Sequence, residues 1–433
     1  MAIGIRLNSS CNTLLAVAMM LALPDSALAQ WKPLSWDFGD LNRDGYEDVV
    51  VGDDAPTGHR WGELHAISGR DGSCLWKVRG TPDQDCVGVA VAVISRGVSQ
   101  PLVVSASRDL LRAELRIDVH RGATGEALGS HELPGVTPSN SERLCFLAPL
   151  DDLDGDGVPE IGVGRPHYGE TPRSGTSRVP GAVSVISLRD GCELLCVDGA
   201  ARFEGLGYGL ASGEFDDVPG LDLAVQAIRD GQWSLVWLAV PRMTELRCTA
   251  MAPSTDAWVR PDYSRRCDWN GDGFDDLWVT ICHQPAEEHT ASGEARAYSV
   301  VSDDPVGSVS PWGLEDPDKF GAFAFAGSSP SERWIALGTP WEDWSAGVWR
   351  VLDSSGVVAS RREEGLNSYY GTYLAAVRGR ESTPRLLVVR ELETEPCPGT
   401  SWLRVEVECW GGDRWDSLLW VYELEPGETK VRR

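Results

Sequence analysis

Asp152-Leu153-Asp154-Gly155-Asp156-Gly157-Val158-Pro159-Glu160 spaces acidic oxygens two residues apart, then runs straight into the apolar stretch Ile161-Gly162-Val163. The pattern recurs as Asp40-Leu41-Asn42-Arg43-Asp44-Gly45-Tyr46-Glu47-Asp48 before Val49-Val50-Val51, and as Asp268-Trp269-Asn270-Gly271-Asp272-Gly273-Phe274-Asp275-Asp276 before Leu277-Trp278-Val279. Each segment offers side-chain oxygens at positions 1, 3, 5 and 9, a main-chain carbonyl at position 7, and a glycine at position 6 for a sharp turn. This is the ligand logic of an EF-hand loop in shortened form, and it points to Ca²⁺, about three ions in all. Mg²⁺ fits less well because it dehydrates reluctantly and demands a stricter octahedron. The expected ligands are Asp40, Asn42, Asp44, Tyr46 (carbonyl) and Asp48; Asp152, Asp154, Asp156, Val158 (carbonyl) and Glu160; and Asp268, Asn270, Asp272, Phe274 (carbonyl) and Asp276. An EF-hand would be flanked by helices, whereas these loops feed strands.

Moving outward, the apolar run behind each loop recurs at Val49, Leu102, Ile161, Leu223, Leu277, Ile335 and Leu387, spaced by 53, 59, 62, 54, 58 and 52 residues. A second landmark follows, a glycine, an alternating strand and a glycine-bearing turn, as in Gly181-Ala-Val-Ser-Val-Ile-Ser187 before Gly191. A third opens the unit: Val87-Gly88, Tyr208-Gly209, Phe320-Gly321 and Tyr370-Gly371. Alternation at period two, with Gly, Pro and Asp between the runs, predicts strands throughout, four per unit. Such units repeated radially make an all-β fold, a seven-bladed β-propeller of four-stranded antiparallel blades. Asp, Asn and Gly are also ordinary turn residues, but three matches at one place in a repeat favour cation loops over plain Asx-turns.

These residues resemble the FG-GAP (VCBS-like) repeats of the integrin α-subunit propeller and of secreted bacterial proteins. The resemblance rests on the aromatic-glycine opening, the Asp-rich loop, the apolar strand and the glycine-proline stretches Val51-Gly-Asp-Asp-Ala-Pro56, Val163-Gly-Arg-Pro166 and Leu337-Gly338-Thr-Pro340. It implies calcium between the first and second strands of certain blades and a ligand face at the opposite end. On that face it nominates Asp53, Asp54, His167, Tyr168, Trp341 and Trp344. The fourth repeat departs: Glu214-Phe-Asp216-Asp217-Val218-Pro219-Gly220-Leu-Asp222 keeps the spacing but has Val at position 5 and Pro at position 6. The second, sixth and seventh repeats lack the carboxylates, and no metal is expected there.

Residues 1–29 read as a secretory signal, with Arg6 before an apolar run from Leu14 to Leu23 and Ala27-Leu28-Ala29 at the cut, leaving 30–433 as a single domain. A secreted or periplasmic protein follows. Ten cysteines then remain in an oxidising compartment and predict disulfides, with Cys74–Cys86, Cys192–Cys196, Cys267–Cys282 and Cys397–Cys409 as natural short-range guesses. Trp31 to Trp36 is expected either to form the first strand of the first blade or to complete the last blade with Trp420 to Leu424. The net charge of −26 disfavours nucleic acid and anionic membrane, and membrane insertion is not expected.

No HExxH, nucleophile elbow or phosphate-binding glycine loop occurs. The 18 tryptophans are read mainly as packing between blades, although Trp341 and Trp344, beside Glu342 and Asp343, form the kind of platform that stacks on sugars. The sequence therefore predicts a calcium-binding propeller that binds or adheres to an extracellular protein or glycan without catalysis. The alternative is a lectin or polysaccharide lyase-like protein.

Overall fold

Every one of the seven apolar landmarks lies in the second strand of an antiparallel sheet. In the computed structural model the described residues are 35–309, less the segments 54–61, 71–72, 81–85, 110–113, 134–144, 167–179, 200–201, 241, 254–256, 262–267 and 284–292, together with the backbone of the strands between 323 and 432. The first sheet contains β1 to β4 (Ser35–Gly39, Asp48–Asp53, Glu63–Ile67, Cys74–Arg79), and the second β5 to β8 (Cys86–Ile94, Leu102–Asp109, Glu114–Arg121, Ala127–Leu133). The third is β9 to β12 (Phe146–Pro149, Glu160–Arg165, Ala182–Ser187, Glu193–Asp198), and the fourth β13 to β16 (Glu204–Gly213, Asp222–Arg229, Gln232–Ala239, Thr244–Pro253). The fifth is β17 to β20 (Ala257–Pro261, Leu277–His283, Gly293–Tyr298, Gly307–Val309), and the sixth β21 to β24 (Phe323–Ser329, Glu332–Thr339, Val348–Asp353, Gly356–Arg362). The seventh runs from β25 to β29 (Tyr373–Arg378, Pro384–Glu393, Ser401–Gly411, Arg414–Glu425, Glu428–Arg432).

Strand order equals chain order in every sheet, so each is a plain meander. The seventh departs from the four-stranded expectation, because β29 pairs with β28 as a fifth strand. Ser35 and Trp36 pair with Gly52 and Val51, which assigns these two residues to the first sheet; 31–34 lie outside the described residues. In a meander the first-to-second and third-to-fourth connections fall at one end of the sheet and the second-to-third connection at the other. The Asp-rich loops and the third-to-fourth turns are thus neighbours by topology.

A bulge recurs near the start of the fourth strand, where Leu75, Leu128, Leu194, Leu246 and Val358 are the extra residues opposite the end of the third strand. One extra residue there sharpens the local twist of the hairpin.

The first five sheets bury their apolar faces against one another in chain order. Leu41, Val50, Leu64 and Trp76 of the first sheet pack on Val87, Val91, Val93 and Val103 of the second. Ala92, Val104 and Ile117 meet Ile161, Val163 and Ile186 of the third. Val183 and Val185 meet Leu210, Leu223 and Val225 of the fourth, and Leu235 and Trp237 meet Leu277, Val279 and Tyr298 of the fifth. Trp237 and Trp278 are fully buried, which supports the packing role assigned to strand tryptophans.

Side chains on fourth strands also cross to the turn of the next sheet. Trp76 Nε1 donates to Gly122 O at 2.6 Å, His131 Nε2 to Leu188 O at 3.0 Å, and Arg247 Nη1 to Val300 O at 2.9 Å. The third and fourth sheets are instead joined by backbone, Leu206 N–H to Pro180 O at 2.9 Å, through a parallel bridge between Gly181 and Leu206.

Candidate metal centre

The three Asp-rich loops share one construction. The position-1 carboxylate turns inward on its own loop: Asp152 Oδ1 accepts the N–H of Gly155 (2.8 Å) and Asp156 (3.1 Å), and Oδ2 that of Gly157 (2.8 Å). Asp40 accepts from Asp44 and Gly45 at 3.0 Å each, and Asp268 from Gly271, Asp272 and Gly273 at 2.6 to 3.0 Å. Position 3 caps the N–H of position 5, from Asn42, Asp154 and Asn270. Position 5 caps that of position 7, at Tyr46, Val158 and Phe274.

The backbone makes two left-handed steps in each loop. Position 6 is Gly45, Gly157 and Gly273 at φ 87°, 85° and 95°. Position 4 is left-handed as well, at Arg43, Gly155 and Gly271 with φ 63°, 79° and 82°. The second step was missed in the sequence, although Gly155 and Gly271 signal it; a non-glycine residue there carries strain.

Position 9 is the buried end of the loop. Asp48, Glu160 and Asp276 are wholly inaccessible. One oxygen of each receives backbone N–H groups from the loop's beginning: Leu41 at 2.9 Å and Asn42 at 3.4 Å on Asp48, Leu153 on Glu160, Trp269 at 2.7 Å and Asn270 at 3.1 Å on Asp276. The other oxygen of Asp48 accepts Gly69 N–H at 3.1 Å, and the Ser299 hydroxyl acts on Asp276, whereas Glu160 Oε1 is buried without a partner. Burial raises all three carboxyls, Asp48 and Glu160 to about 7 and Asp276 to about 6.

A buried carboxylate oxygen facing other carboxylates calls for a cation. In the third repeat one ligand oxygen from each of Asp152, Asp154, Asp156 and Glu160 lies within 4.8 Å of the others. Hard oxygen donors of this number suit Ca²⁺, so the residues present fit the ion. Asp40, Asn42, Asp44 and Asp48, and Asp268, Asn270, Asp272 and Asp276, occupy equivalent places in their loops. Among the described residues, the four-carboxylate grouping is found in the third repeat.

The fourth repeat is wired differently. Asp222 keeps the buried position 9, accepts Val240 N–H at 2.9 Å, and is raised by burial to about 6. Glu214, at position 1, instead turns outward to Arg96 Nη1 at 2.8 Å, and Arg96 Nε also lies 3.4 Å from Asp151. Arg96 belongs to the carboxylate-free second repeat. Glu214 and Asp275 add a reciprocal pair, each backbone N–H bonding to the other residue at 3.0 Å. No short-range pattern around Arg96 signals that it would join these loops.

No protein-family model matches the sequence, and no curated protein matches it. Among solved structures the chain is similar to the Dos1 propeller, with TM-score 0.44 and 12% identity over 83% of this chain and 76% of that one. It is also similar to the rhamnogalacturonan lyase YesW, with TM-score 0.40 and 13% identity over 87% of this chain and 69% of that one. Neither likeness assigns a family or a chemistry.

Of the residues nominated for ligand contact, Asp53 ends β2 opposite Glu63, at the end of the sheet away from the Asp-rich loop. Asp54, His167, Tyr168, Trp341 and Trp344 lie outside the described residues, as does the signal segment 1–29. Two disulfide guesses are corrected. Cys192 and Cys196 are free, because an extended chain carries residues four apart to about 13 Å, beyond the roughly 7 Å a bridge can span. Cys74 is also free and donates to Trp76 O at 3.4 Å. It opens the fourth strand of one sheet, while Cys86 opens the first strand of the next, at the opposite edge.

Proposed function

We propose that this protein is an exported, calcium-stabilised β-propeller of seven FG-GAP-like blades that binds an extracellular protein or glycan and has no catalytic activity of its own. The observation that carries the metal part is Glu160, fully buried with one oxygen unpartnered and its carboxylate grouped with Asp152, Asp154 and Asp156. The propeller reading is supported by seven meandering sheets, of which the first five pack face to face in chain order. Calcium binding at one end of the sheets leaves the second-to-third-strand loops, including Asp53, Asp54, His167, Tyr168, Trp341 and Trp344, for a partner at the other.

Ion binding to the native state alone stabilises it by mass action, by about 2.7 kcal/mol per site at a hundred times Kd. The test is thermal unfolding of residues 30–433 with calcium and with EDTA, beside a calorimetric count of ions. Near three ions and a clear fall in Tm with EDTA are expected. No uptake and no shift would reduce the loops to plain turns.

A further inference from the structure

Resting on the reading of the third-repeat loop as a divalent-cation site, we propose that Arg189 is that loop's resident counter-ion, which holds Asp156 in the metal-free protein and competes with the cation for the same carboxylate.

Arg189 sits in the turn between β11 and β12, which the meander brings to the same end as the Asp-rich loop. Its Nη1 donates to Asp156 O at 2.9 Å and lies 3.4 Å from Asp156 Oδ2. Asp156 Oδ1 is already tied to Val158 N–H at 2.7 Å, so Oδ2 is the oxygen left to face a cation. The guanidinium stands at that oxygen. Glu160 Oε1, buried and unpartnered in the same group of carboxylates, marks the place where the incoming charge is needed.

The other two loops repeat the arrangement with different chemistry. In the first repeat Asp44 Oδ1 is tied to Tyr46 N–H, and Oδ2 lies 4.0 Å from Arg70 Nη1. In the fifth, Asp272 Oδ1 is tied to Phe274 N–H, and Oδ2 meets Ser299 Oγ at 3.1 Å and Asn270 Nδ2 at 2.7 Å. The turns align as Ser68-Gly69-Arg70, Ser187-Leu188-Arg189 and Ser299-Val300-Val301, so the fifth repeat has Val301 where the others have arginine.

Formal charge then orders the loops. The third repeat has four carboxylates, and Arg189 reduces its charge to −3; the fifth has three and no arginine, also −3; the first has three with Arg70, giving −2. Affinity of such sites follows ligand charge. Arg189 thus offsets the additional carboxylate of Asp154, relieving repulsion in the empty loop and lowering affinity in the filled one.

The test is calorimetric titration of residues 30–433 with CaCl₂ at low ionic strength, using wild type, Arg189→Gln and Val301→Arg. Val301 is 53% exposed, so the second substitution is made on the surface. Arg189→Gln is expected to tighten one site by roughly 2- to 5-fold, the range of an exposed ion pair, and to leave the others unchanged. Val301→Arg is expected to weaken one site by a similar factor, and both effects should shrink with added salt. In EDTA, Arg189→Gln should melt below wild type.

Unchanged or weaker binding by Arg189→Gln, with wild type still taking up calcium, would overturn this inference alone and leave Arg189 as a support for the Asp156 carbonyl. An unmoved site in Val301→Arg would count against it in the same way. A wild type that takes up no calcium would remove the underlying reading and this inference with it.

Discussion

The loops of the third and fourth repeats, Asp152 to Glu160 and Glu214 to Asp222, are equal in length and join the first and second strands of adjacent sheets. Both end in a buried carboxylate and both anchor an apolar residue at position 2, Leu153 in one and Phe215 in the other. Between those anchors they part. Asp152 collects three N–H groups of its own loop, whereas Glu214 leaves its loop for Arg96. Position 5 is the capping Asp156 in one and Val218, 60% exposed, in the other. The buried position-9 acid is therefore part of how the loop is fastened to its sheet, and the converging carboxylates that could hold a cation are a separate layer built upon it. A carboxylate at position 9 says nothing about metal until positions 1, 3 and 5 converge on it.

The sharpest way to break this comparison is to neutralise position 9 in both loops. Glu160→Gln is expected to remove one ion from the calorimetric count and, at a hundred times Kd, about 2.7 kcal/mol of calcium-dependent stability. Asp222→Asn should leave the count untouched, and an equal loss of ions from both would erase the distinction.

Next in size is pH. Burial raises Asp222 from 3.8 to about 6 in the folded protein, so the folded state holds its proton more tightly than the unfolded chain. Its contribution is complete below about pH 3.8 and is lost as pH rises through about 6, at most on the order of 3 kcal/mol. With calcium saturating, wild type should lose stability over that window relative to Asp222→Asn, as read by denaturant melts at each pH. Parallel curves would mean that Asp222 stays ionised in place.

Gly155→Ala tests the left-handed step alone, since an added Cβ meets nothing within 4 Å. A loss of about 1 kcal/mol, with weaker calcium binding, is expected. The smallest effect belongs to Arg96→Gln. Its ion pairs are exposed, so about 0.5 kcal/mol at low salt, vanishing at high salt, is expected with no change in ion count.

Much of this was legible in the residues because it depends on short-range pattern. All seven apolar landmarks fall in second strands, since a run such as Leu223 to Val225 is buried on both faces and needs no partner to be recognised. The loops were readable because their Asp, Asn and Gly residues cap one another at fixed short spacings. What escaped depends on pairing between distant segments. The fourth-strand bulges fall on Leu75, Leu128, Leu194, Leu246 and Val358, each an apolar residue that only the pairing register reveals as extra; Arg96 and Arg189 act across loops far apart in the chain, and the guess of Cys192–Cys196 ignored that a strand holds such neighbours apart. Position 4 lay between. Gly155 and Gly271 announced it, but Arg43 in the first repeat disguised the rule.

The joins between sheets carry a consequence for how this chain can drift in sequence. Where Trp76, His131 and Arg247 each donate to a turn carbonyl of the next sheet, the acceptor is main chain and the donor is interchangeable, so three unrelated side chains perform one task. Such seams are free to exchange residues without losing their fastening. The seam between the third and fourth sheets has no such freedom. There main chain meets main chain, and a Cβ at Gly181 would sit 2.3 Å from Leu206 N, and one at Gly164 2.7 Å from Gly207 O. That join is held by the absence of side chains, and any substitution at either glycine would wedge the two sheets apart.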